Sequence, residues 1–125
     1  MNVVDSSGWL EYFAEGPNAE NFAAPLCETQ ALVVPTICIT EVFKVVARQR
    51  GEPDALQAVA LMQQGSIVDL DRDIAVLAAR AGILYKLPLA DSIVLATGRA
   101  MNAEIWTQDE DFEGLEGVRY FPKIK

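Results

Sequence analysis

Short runs of apolar, β-branched residues alternate along the chain with longer helix-like stretches, and this alternation is the strongest constraint on the fold. The runs are Met1 to Asp5, Ala31 to Val34, Ser66 to Leu70 and Glu104 to Thr107, with a possible fifth from Val118 to Phe121. Strands that are separated by helices usually pair in parallel, because each helix carries the chain back to the start of the next strand. The pattern therefore predicts an α/β sandwich with a mostly parallel sheet.

Polar residues and prolines indicate where the helices begin and end. Ser6 or Ser7 can cap the first helix, and Thr36 or Thr40 can cap a long helix in the middle of the chain. Pro25 lies inside the second helical stretch, where we expect a kink or a break because proline lacks the amide hydrogen of a regular helix.

Length and composition predict one domain that spans residues 1–125. Hydrophobic residues make up 51% of the 125 residues, which is enough for a full core and argues against disorder. No apolar run approaches the ~20 residues of a membrane-spanning helix. The N-terminus lacks the basic region of a secretion signal. We therefore expect a cytoplasmic protein without a membrane partner, in which Cys27 and Cys38 are two reduced core thiols.

Four acidic residues lie at the ends of apolar runs or within apolar stretches, where a charged side chain is unusual unless it has a specific role. Asp5 closes the first apolar run, and Asp109 lies two residues beyond Thr107, which ends the fourth. Glu41 and Asp91 lie in apolar, helix-like stretches. Functional crevices of parallel sheets lie beyond the carboxyl ends of the strands. Clustered carboxylates need a cation to stay ionised, and oxygen ligands alone select Mg²⁺ or Mn²⁺.

The sequence contains no histidine, which further restricts the classes of catalytic site that the chain can form. It excludes serine- and cysteine-type triads, zinc–histidine sites and nucleases that use imidazole for proton transfer. The chemistry that remains is metal-assisted hydrolysis of a phosphate ester. The net charge of −8 argues against non-specific binding of nucleic acid, although part of that charge would be neutralised as metal ligands. It also favours a basic protein partner.

Each acid also has a purely structural interpretation. Asp5 can be a helix cap, and Asp91 can serve the dipole of its own helix. Asp109 and Asp111 can belong to a solvated acidic loop. Glu41 can face solvent and pair with Lys44 three residues later. Under the functional interpretation, Lys44 and Arg48 extend the face of Glu41 and could meet a substrate phosphate.

The combination of motifs is more specific than any single acid. Asp-Ser-Ser ends the first strand, Thr-Glu-Val lies within a helix, Ala-Asp-Ser-Ile begins another helix, and Thr-x-Asp-x-Asp-Phe comes late in the chain. In this order and spacing they resemble the PIN-domain ribonucleases, in particular the VapC-type toxins of toxin–antitoxin pairs. The resemblance covers essentially the whole chain. The family positions are matched by Asp5, Glu41, Asp91 and Asp109, with Ser6, Thr107 and Phe112 in supporting places.

This resemblance implies a three-layer α/β/α sandwich and a metal-dependent endoribonuclease. Asp5, Asp91 and Asp109 would hold Mg²⁺ or Mn²⁺, and Glu41 would complete the site. It also implies an RNA substrate, a homodimer and an antitoxin partner whose arginine or lysine enters the acidic site.

Two other classes of protein compete with this hypothesis. The negative charge and the aromatic residues Trp9, Tyr12, Phe13 and Phe22 are also consistent with a protein-binding module that has an acidic pocket but no useful catalysis. A phosphatase of the Asp-x-Asp type is disfavoured because Ser7 stands where the second aspartate would be. A receiver domain is disfavoured because the residues after Thr107 are acidic rather than basic.

Overall fold

The computed structural model describes all residues, 1–125, as a five-stranded sheet with six α-helices. The strands are β1 (Asn2–Val4), β2 (Leu32–Pro35), β3 (Ser66–Val68), β4 (Glu104–Thr107) and β5 (Val118–Tyr120). The helices are α1 (Ser6–Phe13), α2 (Ala19–Cys27), α3 (Thr36–Arg50), α4 (Glu52–Met62), α5 (Arg72–Tyr85) and α6 (Leu89–Ala100). Single 3₁₀ turns cover Thr29–Ala31 and Glu110–Phe112.

All five strands are parallel, in the order β3-β2-β1-β4-β5. The chain starts at the centre with β1, moves outward through β2 to β3, and then crosses to β4 and β5 on the other side. The direction of travel thus reverses between β1 and β4. Right-handed crossovers then place α5 and α6 on the face opposite to α1 through α4. The predicted α/β/α sandwich is confirmed, and the sheet is wholly rather than mostly parallel.

The centre of the sheet is the core of the molecule. Val3, Val4, Val33 and Val34 are fully buried, as expected for parallel strands with helices on both faces. The edge strands β3 and β5 are more exposed. None of the helices combines the length and the apolar character that crossing a membrane requires.

Several local predictions need correction. The cap of α1 is Asp5 itself, whose side chain accepts a hydrogen bond from Gly8 N, rather than Ser6 or Ser7. Helix α3 begins directly after Pro35 without a side-chain cap, because the fixed φ of proline already orients the chain. Pro25 lies in the last turn of α2, so the helix continues through it and ends two residues later.

The predictions for the burial of the cysteines and the role of the aromatic residues were only partly correct. Cys38 is fully buried, but Cys27 is exposed at the end of α2 and is not a core thiol. Trp9 and Phe22 are buried, so they are core residues rather than a docking surface for a partner.

We predict that Gly8→Ala destabilises the fold by about 1–3 kcal/mol, as overpacking typically does. A Cβ at Gly8 would lie 2.5 Å from Val4 Cγ1 and 2.8 Å from Phe22 Cδ1, so α1 could not keep its distance from β1 and α2. Gly82→Ala in α5 is the matched control, because its Cβ would meet nothing nearer than 3.5 Å. That variant should gain stability from the better helix propensity of alanine. Urea unfolding of both variants measures the difference; equal stabilities would contradict this packing.

Candidate metal centre

The carboxylates of Asp5, Asp91 and Asp109 meet at the carboxyl edge of the sheet. Asp5 follows β1, Asp109 lies just beyond β4, and Asp91 lies in the first turn of α6. One oxygen from each lies within 4.8 Å of the others. Because β1 and β4 are neighbours at the point where the chain reverses direction, their carboxyl ends open on one crevice. The structure thus brings together three of the four acids that the sequence singled out.

Asp5 is the most buried member of the cluster, with 3% of its surface exposed. Ser7 Oγ donates to Asp5 Oδ1 at 2.6 Å, and Gly8 N donates to the same oxygen at 3.3 Å. Burial raises the pKa of Asp5 to about 7, although hydrogen bonds from Ser7, Thr107 and Gly8 act in the opposite direction. A buried carboxylate that its hydrogen bonds stabilise only in part favours the binding of a cation.

Asp91 is half-buried, and its pKa, like that of Asp5, is strongly raised. Burial first, and then the negative charges of Asp109 and Asp5, raise the pKa of Asp91 to about 8. Asp111 raises it further through a hydrogen bond and its own charge. Asp111 is exposed, and it lies close enough to Asp91 to affect the pKa of that residue.

Thr107 and the start of the following turn fix Asp109. Asp109 N donates to Thr107 Oγ1 at 2.9 Å, and Asp111 N donates to Asp109 Oδ1 at 2.9 Å. Thr107 Oγ1 also lies 3.3 Å from Ser7 Oγ. The threonine that the sequence assigned a supporting role is therefore in contact with the residues around two of the acids.

Glu41, on α3, is the fourth acid and lies outside the group of three. Ser6 Oγ donates to Glu41 Oε1 at 2.5 Å, which ties Glu41 to the residue directly after Asp5. Ser6 was predicted to orient a metal ligand, but Ser7 makes the bond to Asp5 and Ser6 holds Glu41 instead. Glu41 forms no ion pair with Lys44, so the surface pairing that would explain Glu41 without a catalytic role is not observed.

Lys44 and Arg48 are exposed on α3. Neither forms an ion pair with an acidic side chain, since the only ion pair of the molecule joins Arg119 to Glu104. Nothing in the structure brings these two cations to the carboxylate cluster, and their role in binding phosphate stays a prediction.

Three residues near the cluster were not recognised in the sequence. Ser7 bonds Asp5, and its hydroxyl accepts from Gln108 N at 3.2 Å. The thiol of Cys38 is buried close enough to Asp5 for that charge to raise its pKa further, after burial itself. Cys38 is therefore a neutral thiol. The position of Ser7 two residues after Asp5 was a usable indication, whereas nothing local marked Gln108 or Cys38.

The donor set suits a hard divalent cation. All three groups offer carboxylate oxygens, with no sulfur and no imidazole, which is the ligand type of Mg²⁺ and Mn²⁺. Burial first, and then neighbouring negative charges, raise the pKa values of Asp5 and Asp91, so the protein alone stabilises their ionised forms poorly. A bound cation would stabilise the ionised carboxylates, so the residues present fit a metal site.

Comparison with known proteins places the chain in a family. The family model described as PIN domain matches residues 3–118. Among curated proteins, none matches the sequence.

Solved structures share the fold over nearly the whole chain. A toxin–antitoxin complex from Klebsiella pneumoniae is 23% identical, with a TM-score of 0.82, over 98% of this chain and 100% of that chain. VapC20 of Mycobacterium tuberculosis, described as a toxin that cleaves the sarcin–ricin loop, is 17% identical, with a TM-score of 0.77, over 95% and 99% of the two chains. VapBC2 from Rickettsia felis, bound to a DNA fragment from its promoter, is 10% identical, with a TM-score of 0.73, over 97% of both chains. At these identities the likeness shows the fold.

We predict that Mn²⁺ stabilises the protein more at about pH 8.5 than at about pH 6. The raised pKa values of Asp5 and Asp91 mean that, without metal, the folded state binds more protons than the unfolded state between about pH 4 and about pH 8. The metal-free protein should therefore lose stability as the pH rises across this range, and a cation replaces the lost protons. Thermal unfolding at both pH values measures this, and a Tm gain of at least about 5 °C is expected at the higher pH.

Asp5→Asn is the control for this pH dependence. It removes the most buried charge, so its metal-free Tm should fall less with rising pH than that of the wild type. A wild-type Tm that is unchanged by pH and by Mn²⁺ would contradict the proposed site.

Proposed function

The chain belongs to the PIN domain family, and on that premise we propose that it is a Mg²⁺- or Mn²⁺-dependent endoribonuclease that hydrolyses RNA phosphodiester bonds. We further propose that it is the VapC-type toxin of a toxin–antitoxin pair, acting in the cytoplasm to inhibit translation. The observation that carries the proposal is the meeting of Asp5, Asp91 and Asp109, whose carboxylate oxygens lie within 4.8 Å of one another. The structural neighbours, among them a toxin–antitoxin complex and the toxin VapC20, support the biological role.

Asp5, Asp91 and Asp109 would hold the cation, with Ser7 and Thr107 keeping the carboxylates in place through their hydroxyls. When bound, a divalent cation lowers the pKa of the attacking water and stabilises the charge that develops on the phosphate. Glu41 would accept the proton of that water, and its bond to Ser6 keeps its carboxylate near the cluster. Because no 2′-hydroxyl attack is needed, the products would carry a 5′-phosphate and a 3′-hydroxyl.

A groove beside the carboxylates supports the proposed antitoxin partner. It has a volume of about 460 Å³ and runs between α1 and the α3–α4 pair, starting at Ser7 and Gln108. Its floor includes Leu10, Phe13 and Val45. An apolar floor that ends at Ser7, which bonds Asp5, fits a peptide with apolar side chains followed by an arginine or lysine. Such a peptide would cover the site and neutralise it, as the resemblance implies.

A second apolar surface supports the proposed homodimer. The α5–α6 face is a groove of about 450 Å³ in which eight of ten residues are hydrophobic, among them Leu70, Leu87, Ile83 and Leu89. Ile83 is 81% exposed and Leu89 is 79% exposed, which is unusual for a monomer. Between Leu70 and Ala90 the charged residues are two acids and three bases, whereas the whole chain carries −8. Two copies can therefore approach on this face without the repulsion that the rest of the surface would impose.

Cleavage of total RNA tests the proposed function. We expect discrete fragments with 5′-phosphate ends in the presence of Mg²⁺ or Mn²⁺ and none with chelator. Asp91→Asn and Asp109→Asn should each lower the rate about 100-fold or more, because each removes one anionic metal ligand. Asp69→Asn, an exposed aspartate between β3 and α5, is the matched control and should cut like the wild type.

An Asp91→Asn protein with full activity would rule out this site. If the wild type cuts no RNA with either metal but still binds a cognate basic protein tightly, the chain is the acidic binding module instead. A nuclease held by an antitoxin should both cut RNA and stop cutting when the partner is added.

The oligomeric state tests the α5–α6 face. Ile83→Glu should shift a dimer to a monomer in sedimentation velocity, because two carboxylates would be buried opposite an apolar groove. Leu56→Glu on α4 is the matched control, since Leu56 is 56% exposed outside this face. A wild type that sediments as a monomer at every concentration, or an Ile83→Glu protein that stays dimeric, would refute the assignment.

A further inference from the structure

We propose that the C-terminal tail, residues 121–125, belongs to the substrate site: Lys123 binds an RNA phosphate beside the carboxylate cluster, and Asn18 is the positioning residue that holds the tail there. This inference rests on the proposed ribonuclease function and adds a phosphate-binding residue to it. The motifs that carry the family resemblance end at Phe112, so nothing in them points to the tail.

The start of the tail is fixed against the end of β4. Phe121 N donates to Thr107 O at 2.9 Å, which continues the pairing of β5 with β4 by one residue. The ring of Phe121 packs edge-on against Phe22 at 5.5 Å between centroids, and it lies 5.9 Å from the ring of Trp106. The tail therefore leaves the sheet at the same edge as Asp109.

Asn18 then ties the tail to the residue next to the metal ligands. Its side chain is 2% exposed, and Nδ2 donates both to Pro122 O at 3.0 Å and to Gln108 Oε1 at 3.1 Å. Asn21 Nδ2 donates to Asn18 Oδ1 at 3.1 Å. Because a buried amide with every polar atom satisfied has one orientation, Pro122 and Gln108 are held together.

The hydrogen bonds continue from Gln108 to the carboxylate cluster. Gln108 N donates to Ser7 Oγ at 3.2 Å, and Ser7 Oγ donates to Asp5 Oδ1 at 2.6 Å. Lys123 follows Pro122 directly and lines the same groove as Ser7 and Gln108. The tail thus brings a cation to the opening of the groove beside the proposed catalytic site.

The charge of Lys123 is available for a ligand. Its ammonium pairs with no carboxylate, since the only ion pair is that of Arg119 with Glu104. In a chain of net charge −8, a polyanionic substrate needs a local cation to approach three carboxylates. Lysine is a compact cation that suits a phosphate oxygen. Lys44 and Arg48 do not line this groove, whereas Arg50, the last residue of α3, does.

Initial rates of cleavage of total RNA test the role of Lys123. At limiting RNA, Lys123→Ala should lower the rate about tenfold, as expected for one charged phosphate contact, while the rate at saturating RNA stays within about twofold. The logarithm of the limiting rate is plotted against the logarithm of the NaCl concentration for the wild type and for Lys123→Ala. The negative slope of the variant should be shallower by about 0.7, the value for one phosphate on a single strand. Lys123→Arg should restore the rate, and Lys125→Ala, which changes a tail residue outside the groove, is the matched control.

The positioning role of Asn18 predicts non-additivity. Asn18→Ala should lower the limiting rate about as much as Lys123→Ala, and the double variant should be no slower than either. A merely structural role for Asn18 would make the two losses multiply. If Asn18→Ala fails to fold, Asn18→Ser replaces it, because serine keeps a small polar side chain at this buried position but its single hydroxyl cannot donate to both Pro122 O and Gln108 Oε1.

The possible outcomes separate this inference from the function on which it rests. If the wild type cuts RNA and Lys123→Ala cuts it equally well at limiting RNA, the tail is not part of the substrate site. If Lys123→Ala instead weakens inhibition by a protein partner and leaves RNA cleavage unchanged, Lys123 contacts that partner, and the inference is wrong. If the wild type cuts no RNA, both proposals fall.

Discussion

The burial of neighbouring carboxylates at one edge of the sheet is the constraint on which the rest of the structure depends. Asp5, Asp91 and Asp109 offer oxygens within 4.8 Å of one another, and two of them hold protons at far higher pH than isolated aspartates. The fold tolerates this because buried parallel strands and a helix N-terminus fix the three backbones. In the proposed nuclease, a divalent cation would relieve this energetic conflict and activate the attacking water.

The topology of the sheet explains why these acids meet although they are distant in sequence. β1 and β4 are paired at the centre of the sheet, so the residues that follow them are neighbours across one crevice. α6 begins beside that crevice and contributes Asp91 from the opposite layer. Around this centre lie two surfaces of different character: the groove along α1 and α3, which opens at Ser7, and the α5–α6 face on the far layer. In the proposals above, the second copy has a face of its own, whereas the inhibitor and the substrate phosphate share the groove that opens at Ser7.

The sequence predicted the fold and the acids for a physical reason. Period, length and turn residues fix which segments are strands or helices, and the carboxyl ends of parallel strands must share an edge. Hydrogen-bond partners were less predictable: Ser6 was expected to support the ligands, but Ser7 bonds Asp5. The exposure of Cys27 and the anchoring of the tail by Asn18 were not predictable either. Each depends on residues brought together by the fold, and such contacts leave no periodic pattern in the sequence.

The most direct test of the metal centre is anomalous scattering from crystals soaked in Mn²⁺. We expect one peak or a close pair bounded by Asp5, Asp91 and Asp109, at about 2.0–2.2 Å from their oxygens, as is usual for a small hard cation. The peak should disappear in Asp91→Asn crystals. Peaks confined to the exposed acids Glu110, Glu113 and Glu116, with none inside the cluster, would contradict the account.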